Sequence, residues 1–314
     1  MKTAILIAGP TASGKSALSL RLAADTNGVI INADSMQVYR DLRVITARPS
    51  EEDEAKAPHK LYGFMDATEV CSAAFWAERA MAEIEAAWAE GLTPIVVGGT
   101  GMYFKVLLDG IAEIPEIPED IRADVRARCD AEGSEVLHAE LRTVDPVTAD
   151  RLAPGDSQRI SRALEVYKAT GTPLSVWHKD TRPGPLKPLE EAGGLIKLVI
   201  DPPRDVLYDR CNRRFDLMLG EGGLDEVKAL MARNLDVSLP VMRALGVPSL
   251  MAYLQGEVSL EGAVEDAKMQ TRRFAKRQLT WFRNQFGAWD RVSAQLSESQ
   301  YRDFLNKKIK KLID

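Results

Sequence analysis

The run Gly9-Pro10-Thr11-Ala12-Ser13-Gly14-Lys15-Ser16 constrains this chain more than any other segment. It fills the pattern G-x-x-x-x-G-K-[ST], in which N–H groups at the start of a helix converge on phosphate oxygens. Such a loop needs a buried strand before it and a helix after it. Both flanks comply: residues 3–8 are an apolar run, and across residues 15–24 Ala17, Leu18, Leu20 and Leu22 supply apolar contacts. Gly9, Pro10, Thr11, Ala12, Ser13, Gly14, Lys15 and Ser16 are therefore expected to hold a diphosphate. Lys15 adds a point charge, and the Ser16 hydroxyl can ligate Mg²⁺, the one cofactor the pattern implies. The alternative is a plain glycine turn between strand and helix.

The rest of the chain sets that loop in a layered fold. Residues 28–31 read as a second strand, Ser72 can N-cap a helix ending near Gly91, and residues 93–97 form a third strand entering Gly98-Gly99-Thr100-Gly101. Strands alternating with helices predict an α/β fold, a P-loop NTPase-like parallel sheet flanked by helices. Proline clusters at Pro115 and Pro118 and at Pro183, Pro185 and Pro188 bracket a stretch of helical periodicity. An inserted helical domain is expected at 113–192, leaving 1–112 and 193–314 as the core. After it, residues 195–200 resemble another buried strand, and 204–314 are mostly helical.

A formal net charge of -5 does not suit a general nucleic-acid binder, so any such function must rest on local basic patches. Cys71, Cys129 and Cys211 are scattered and odd in number, which argues for a reducing compartment and against disulfides. With His59, His138 and His178 they form no zinc-ligand spacing and read as structural or surface groups. The apolar run that follows Lys2 is too short for a secretory h-region, and no stretch suits a membrane span. A soluble cytoplasmic protein without membrane attachment is expected.

A phosphate loop alone fits an ATPase or kinase, which usually needs a second carboxylate. Residues 94–97 run into glycines with no acid, whereas Asp34 follows Val29-Ile30-Ile31-Asn32-Ala33 at the C-terminal end of a strand. On position alone it is a reactive carboxylate or a turn former.

Beyond this general signal, Asp34-Ser35-Met36-Gln37-Val38-Tyr39, Thr46-Ala47-Arg48-Pro49 and Val97-Gly98-Gly99-Thr100-Gly101-Met102-Tyr103 closely resemble the tRNA dimethylallyltransferases. Downstream, Gln158-Arg159-Ile160-Ser161-Arg162, Arg214-Phe215-Asp216, Val241-Met242-Arg243-Ala244-Leu245-Gly246 and Thr271-Arg272-Arg273-Phe274-Ala275-Lys276-Arg277-Gln278 continue the likeness. Two places depart from it. Arg48 stands where lysine is usual, and Val247-Pro248-Ser249 stands where an aromatic and a basic residue usually follow Gly246.

The resemblance implies transfer of a dimethylallyl group from its diphosphate to N6 of the adenosine 3′-adjacent to a tRNA anticodon. Asp34 would then be the general base, with Lys15, Ser16 and Arg214 acting on the leaving diphosphate, and Arg210 the second choice for the closing arginine. The tRNA anticodon stem-loop would meet Asp34, Ser35, Met36, Gln37, Thr100, Arg122, Gln158, Arg159, Ile160, Ser161, Arg162 and Arg243. Thr100 instead serves only its glycine turn if the implied contact is absent. Charge adds Arg272 and Lys276 from the stretch 268–283, which has six cations and no acid, and whose Phe274, Trp281 and Phe282 can pack or stack. Gln158, Arg159 and Arg162 lie on a helix expected to be capped by Ser157. A monomer is expected. The rivals are an adenylate dimethylallyltransferase using free nucleotide, a P-loop small-molecule kinase or ATPase, and an RNA-binding protein without catalysis.

Overall fold

The computed structural model describes residues 2–293 and 295–310. Its centre is β1 (Ala4–Ala8), buried at every position as a strand covered on both faces must be. Parallel partners flank it: β4 (Thr93–Gly98) pairs Ile5 with Ile95 and Ile7 with Val97, and β5 (Leu195–Ile200) pairs Ile5 with Ile196. With β2 (Gly28–Asn32), β3 (His59–Lys60) and β6 (Asp290–Val292) they form an all-parallel sheet in the order β3-β2-β4-β1-β5-β6. The edge strands β3 and β6 were not expected from sequence, because each is too short and polar to display a period of two.

The helix Lys15–Thr26 lays Leu18 and Leu22 on Ile5, Ile7, Ile30 and Ile95. The helix Ala73–Ala89 packs on β2 and β4 and is capped by Ser72, whose hydroxyl accepts the Phe75 N–H. Its Trp76 is fully buried, stacks on Tyr103 at 4.1 Å between centroids, and donates its indole N–H to the Asn32 carbonyl at 2.8 Å. Since every strand runs the same way, the ends of β1, β2 and β4 emerge on one edge of the sheet. Backbone hydrogen bonds from Gly9 to Gly98, from Ala33 to Val97 and from Thr100 to Ala33 tie these ends together. Gly98 is required there, since a Cβ would lie 2.0 Å from the Ala33 carbonyl oxygen.

The chain divides into two compact units, Met1–Leu107 with Pro185–Asp314, and Leu108–Gly184. The second is helical, as expected, with a core of Val125, Leu137, Leu141, Ile160 and Leu164. Its limits differ from the expected 113–192. The return crossing comes earlier because the Leu186 N–H donates to the Leu107 carbonyl, and Leu186 is wholly buried. Residues 185–192 therefore belong with the sheet. No helix among the described residues is long and apolar enough to cross a membrane.

Candidate active site

Left-handed backbone shapes the phosphate loop, with φ of 60° at Ala12 and 94° at Gly14, which caps the helix Lys15–Thr26. Gly9 has no room for a side chain, since a Cβ would lie 2.9 Å from Ser13 Oγ. Within the loop the Ser13 N–H donates to the Pro10 carbonyl, and the Thr11 N–H donates to Gln278 Oε1 at 2.8 Å. The N–H groups of Ala12, Gly14, Lys15 and Ser16 donate to no acceptor among the described residues. These four are open for an anion, whereas Ser13, expected to join them, spends its N–H on the turn.

Cations surround the loop. The Lys15 ammonium donates to the Pro10 carbonyl at 3.1 Å. From the helix Arg204–Gly220, Arg214 donates to Thr11 Oγ1 and Arg210 donates to the Ser13 carbonyl at 3.2 Å. Arg213 turns outward to pair with Asp209 at 3.0 Å. Arg214 thus holds a side chain of the loop, and Arg210 holds its backbone. Burial holds the Lys15 ammonium down to a pKa of about 8; the Asp34 charge opposes that shift and the Arg214 charge adds to it. Arg214 is likewise lowered by burial and supported by the Asp34 charge. Lys15, Arg214 and Asp34 therefore share one electrostatic field.

Asp34 is aimed by its neighbours. Asn32, fully buried, accepts the Asp34 N–H and donates to the Asp34 and Leu61 carbonyls. Asp34 Oδ1 accepts the Met36 N–H at 3.0 Å. That leaves Oδ2, which lies 3.4 Å from where a Cβ on Gly99 would stand. The Asp34 charge also raises the phenol pKa values of Tyr62 and Tyr103, although burial is the larger cause for both. Asp34 is thus both turn former and carboxylate presented to the loop.

Ser16 is exposed at the second position of its helix. Among the described residues no cluster of three or more His, Cys, Asp or Glu side chains could hold a metal.

The IPP transferase family model matches residues 37–285. The chain belongs to that family. It is 52% identical over 297 residues to the tRNA dimethylallyltransferase of Nitrobacter hamburgensis, covering 95% of this chain and 92% of that one. It is 52% identical over 307 residues to that of Rhodospirillum rubrum, covering 96% and 93%. Its fold matches the tRNA isopentenylpyrophosphate transferase of Bacillus halodurans at 33% identity and TM-score 0.70, over 100% of this chain and 97% of that one. It also matches a eukaryotic dimethylallyltransferase caught acting on tRNA, at 27% identity and TM-score 0.77, over 99% and 77%.

In this IPP transferase the expected RNA-contacting residues separate into groups. Ser35 and Thr100 sit beside Asp34, with the Ser35 N–H donating to Thr100 Oγ1 at 2.9 Å. The Gln37 amide gives both its hydrogens to the Thr46 and Ala47 carbonyls, so only its oxygen is left for a base edge. In the helical unit Gln158 and Arg159 are exposed and Arg162 is partly so. Ile160 and Ser161 are not, and Ile160 is fully buried. A helical period turns positions 160 and 161 inward, so their side chains belong to the core instead of an RNA surface. The cap is Asp156, not Ser157, since its carboxylate accepts the Arg159 N–H and also pairs with the Arg159 guanidinium. Arg122 pairs with Glu119 at 3.8 Å, and its buried Nε has no hydrogen-bond partner among the described residues.

On the helix Leu260–Gln285, Phe282 is core and Lys276 is exposed. Arg272 donates to Asn212 Oδ1 at 2.6 Å. Arg48 answers the usual lysine with a fork that reaches the Tyr39 and Arg40 carbonyls at 3.3 and 3.4 Å. Val247-Pro248-Ser249 begins the helix Val247–Leu254, with Ser249 Oγ on Asp266 at 2.6 Å, and leaves Arg243 exposed just upstream.

Sequence reasoning missed Gln278. It is buried, accepts the Thr11 N–H and donates to the Gly99 carbonyl at 2.8 Å, and so joins the phosphate loop to the Thr100 turn. Its only signal in sequence is its place at the end of the Thr271–Gln278 segment that carries the family likeness. Gln278→Ala should lower kcat about tenfold or more by loosening both loops, because misplacement of reacting groups is costly. Turnover within twofold of wild type would show that the bridge is dispensable.

The Lys15 shift gives a pH prediction. Binding a diphosphate must raise the ammonium pKa above about 8, so binding takes up a proton at higher pH. Affinity for a diphosphate monoester should be full below pH about 8 and fall by up to about tenfold per unit above it. Such a ligand has its own last titration near about 6, outside this window. Calorimetric titration from neutral to alkaline pH checks this, and Lys15→Met should flatten the curve.

Proposed function

We propose that the chain transfers a dimethylallyl group from dimethylallyl diphosphate to N6 of the adenosine 3′-adjacent to the anticodon of a tRNA. One observation carries this reading: Asp34 presents Oδ2 within the shared field of Lys15 and Arg214, where the loop keeps open N–H donors. A kinase or ATPase needs no base so placed for an exocyclic amine.

The adenine N6 is a weak nucleophile, because its lone pair is delocalised into the ring. Asp34 Oδ2 accepts its proton as nitrogen bonds to the allylic carbon and the carbon–oxygen bond to diphosphate breaks. Charge grows on the leaving diphosphate, and the unpartnered N–H groups of Ala12, Gly14, Lys15 and Ser16, with the Lys15 and Arg214 cations, would stabilise it. Magnesium held by Ser16 would neutralise further diphosphate charge. A loop nucleotide is partly unstacked, which lowers the cost of extruding its base toward Ser35, Gln37 and Thr100. Arg122, Gln158, Arg159 and Arg162 supply charge and donors for RNA from the helical unit.

The test is incubation of the protein and dimethylallyl diphosphate with unmodified tRNA, AMP or ATP, followed by mass spectrometry of the nucleosides. Prenylated adenosine from tRNA alone is expected. Prenylated AMP, or ATP turnover without prenyl transfer, would replace the reading with a nucleotide prenyltransferase or a kinase.

A further inference from the structure

We infer that the groove lined by Arg273, Lys276, Arg277, Thr280, Trp281 and Asn284, of about 430 Å³, seats one unpaired nucleotide of the tRNA beside the reacting adenosine. Trp281 takes the base and the three cations take its phosphates. This rests on the tRNA reading above and adds a subsite to it.

The first argument is charge. No carboxylate lines the groove, and Arg273, Lys276 and Arg277 form no ion pair with a described residue. Other cations of the same helix are committed: Lys268 to Asp216 at 2.7 Å, Arg272 to Asn212 at 2.6 Å, Arg283 to Asp201 at 3.0 Å. Arg277 rests over the Phe274 ring at 5.7 Å, but in a chain of net charge -5 three cations without a carboxylate partner on one stripe point to a polyanion.

The second argument is the indole. Its six-membered ring covers Gly101, where a Cβ would lie 1.9 Å from Cζ3, and it stands edge-on to Phe282 and Phe286 at 5.5 and 5.0 Å. The platform is held before any ligand arrives, so little order is lost on stacking. Trp76, Trp88 and Trp177 donate their indole N–H groups to protein acceptors; those of Trp281 and Trp289 meet none among the described residues, and of these two Trp289 is buried whereas Trp281 is partly exposed. A fixed aromatic ring with cations about it is the usual means of gripping a single-stranded nucleotide.

The third argument is place. Gly101 follows Thr100, which holds the Ser35 N–H beside Asp34, and Gln278 on the groove's own helix bridges Thr11 and Gly99. A chain threading an adenosine toward Asp34 has its neighbouring nucleotide at this groove.

The experiment uses the full chain and an anticodon stem-loop carrying 5-bromouridine at the nucleotide next to the target adenosine. Photocrosslinking should label a peptide containing Trp281. Trp281→Leu should raise the KM for the stem-loop about tenfold or more, Trp281→Phe should restore most of it, and the KM for dimethylallyl diphosphate should not move. Arg277→Gln and Lys276→Gln, which lie outside the aromatic cluster and threaten folding less, should each reduce the salt dependence of binding by about one ion. Crosslinks confined to other peptides, with stem-loop KM and salt slope unchanged in these variants, would overturn the subsite. A wild-type protein that prenylates no tRNA would instead overturn the reading beneath it, and retention of an acidic peptide but no RNA would mark the groove as a protein contact.

Discussion

Asp34→Asn should lower the single-turnover rate of prenyl transfer by roughly 10²–10⁴-fold and leave tRNA affinity within about twofold. Asparagine is the informative replacement. Its side-chain oxygen can still accept the Met36 N–H that Asp34 Oδ1 accepts at 3.0 Å, and the brace from Asn32 acts on the backbone of residue 34. The turn therefore survives and only the proton acceptor is lost. Asp34→Ala removes both, so it should be no more active than Asp34→Asn and somewhat less stable. Rapid quench with labelled dimethylallyl diphosphate separates the chemical step from binding. A variant that keeps near-normal turnover would remove Asp34 from the role of base.

Lys15→Ala and Arg214→Ala should each cost roughly 10²–10³-fold in transfer, with losses in diphosphate affinity. The two effects should not add, because each cation lies in the other's field and Arg214 also holds Thr11 Oγ1. Their coupling has a signature in pH. The Arg214 charge lowers the Lys15 pKa, so removing it must raise that value above about 8 and carry the alkaline fall in diphosphate affinity to higher pH. A double-mutant cycle on binding, with the pH series repeated in Arg214→Ala, measures both. Additive losses and an unmoved alkaline limb would mean that the two side chains act at separate places.

Much of this site was legible because its signals are local. The phosphate loop is one contiguous run between a buried strand and a helix, and the position of Asp34 follows from the apolar strand that precedes it. The helical insertion announced itself by its bracketing prolines, with limits displaced to Leu108–Gly184 by the backbone pairing of Leu186 with Leu107. What stayed hidden depends on distant partners. Gln278 and Thr11 are separated by 267 positions, and no local period reports their hydrogen bond. Glu226 accepts the N–H groups of Arg43, Val44 and Ile45, and so steadies the loop that Gln37 holds, yet it reads in sequence as one more surface acid. Ile160 illustrates the opposite error: adjacency in a motif made it an RNA contact, while helix geometry sends it into the core.

In the complete complex the diphosphate loop and the Asp34 carboxylate should face one another across the place of the adenine amine. A crystal structure with an unreactive thio-analogue of dimethylallyl diphosphate and an anticodon stem-loop tests it most directly. The diphosphate should lie on the N–H groups of Ala12, Gly14, Lys15 and Ser16, with the adenine N6 in hydrogen-bond reach of Asp34 Oδ2. An adenine edge turned away from Asp34, or a diphosphate bound off the loop, would contradict the account.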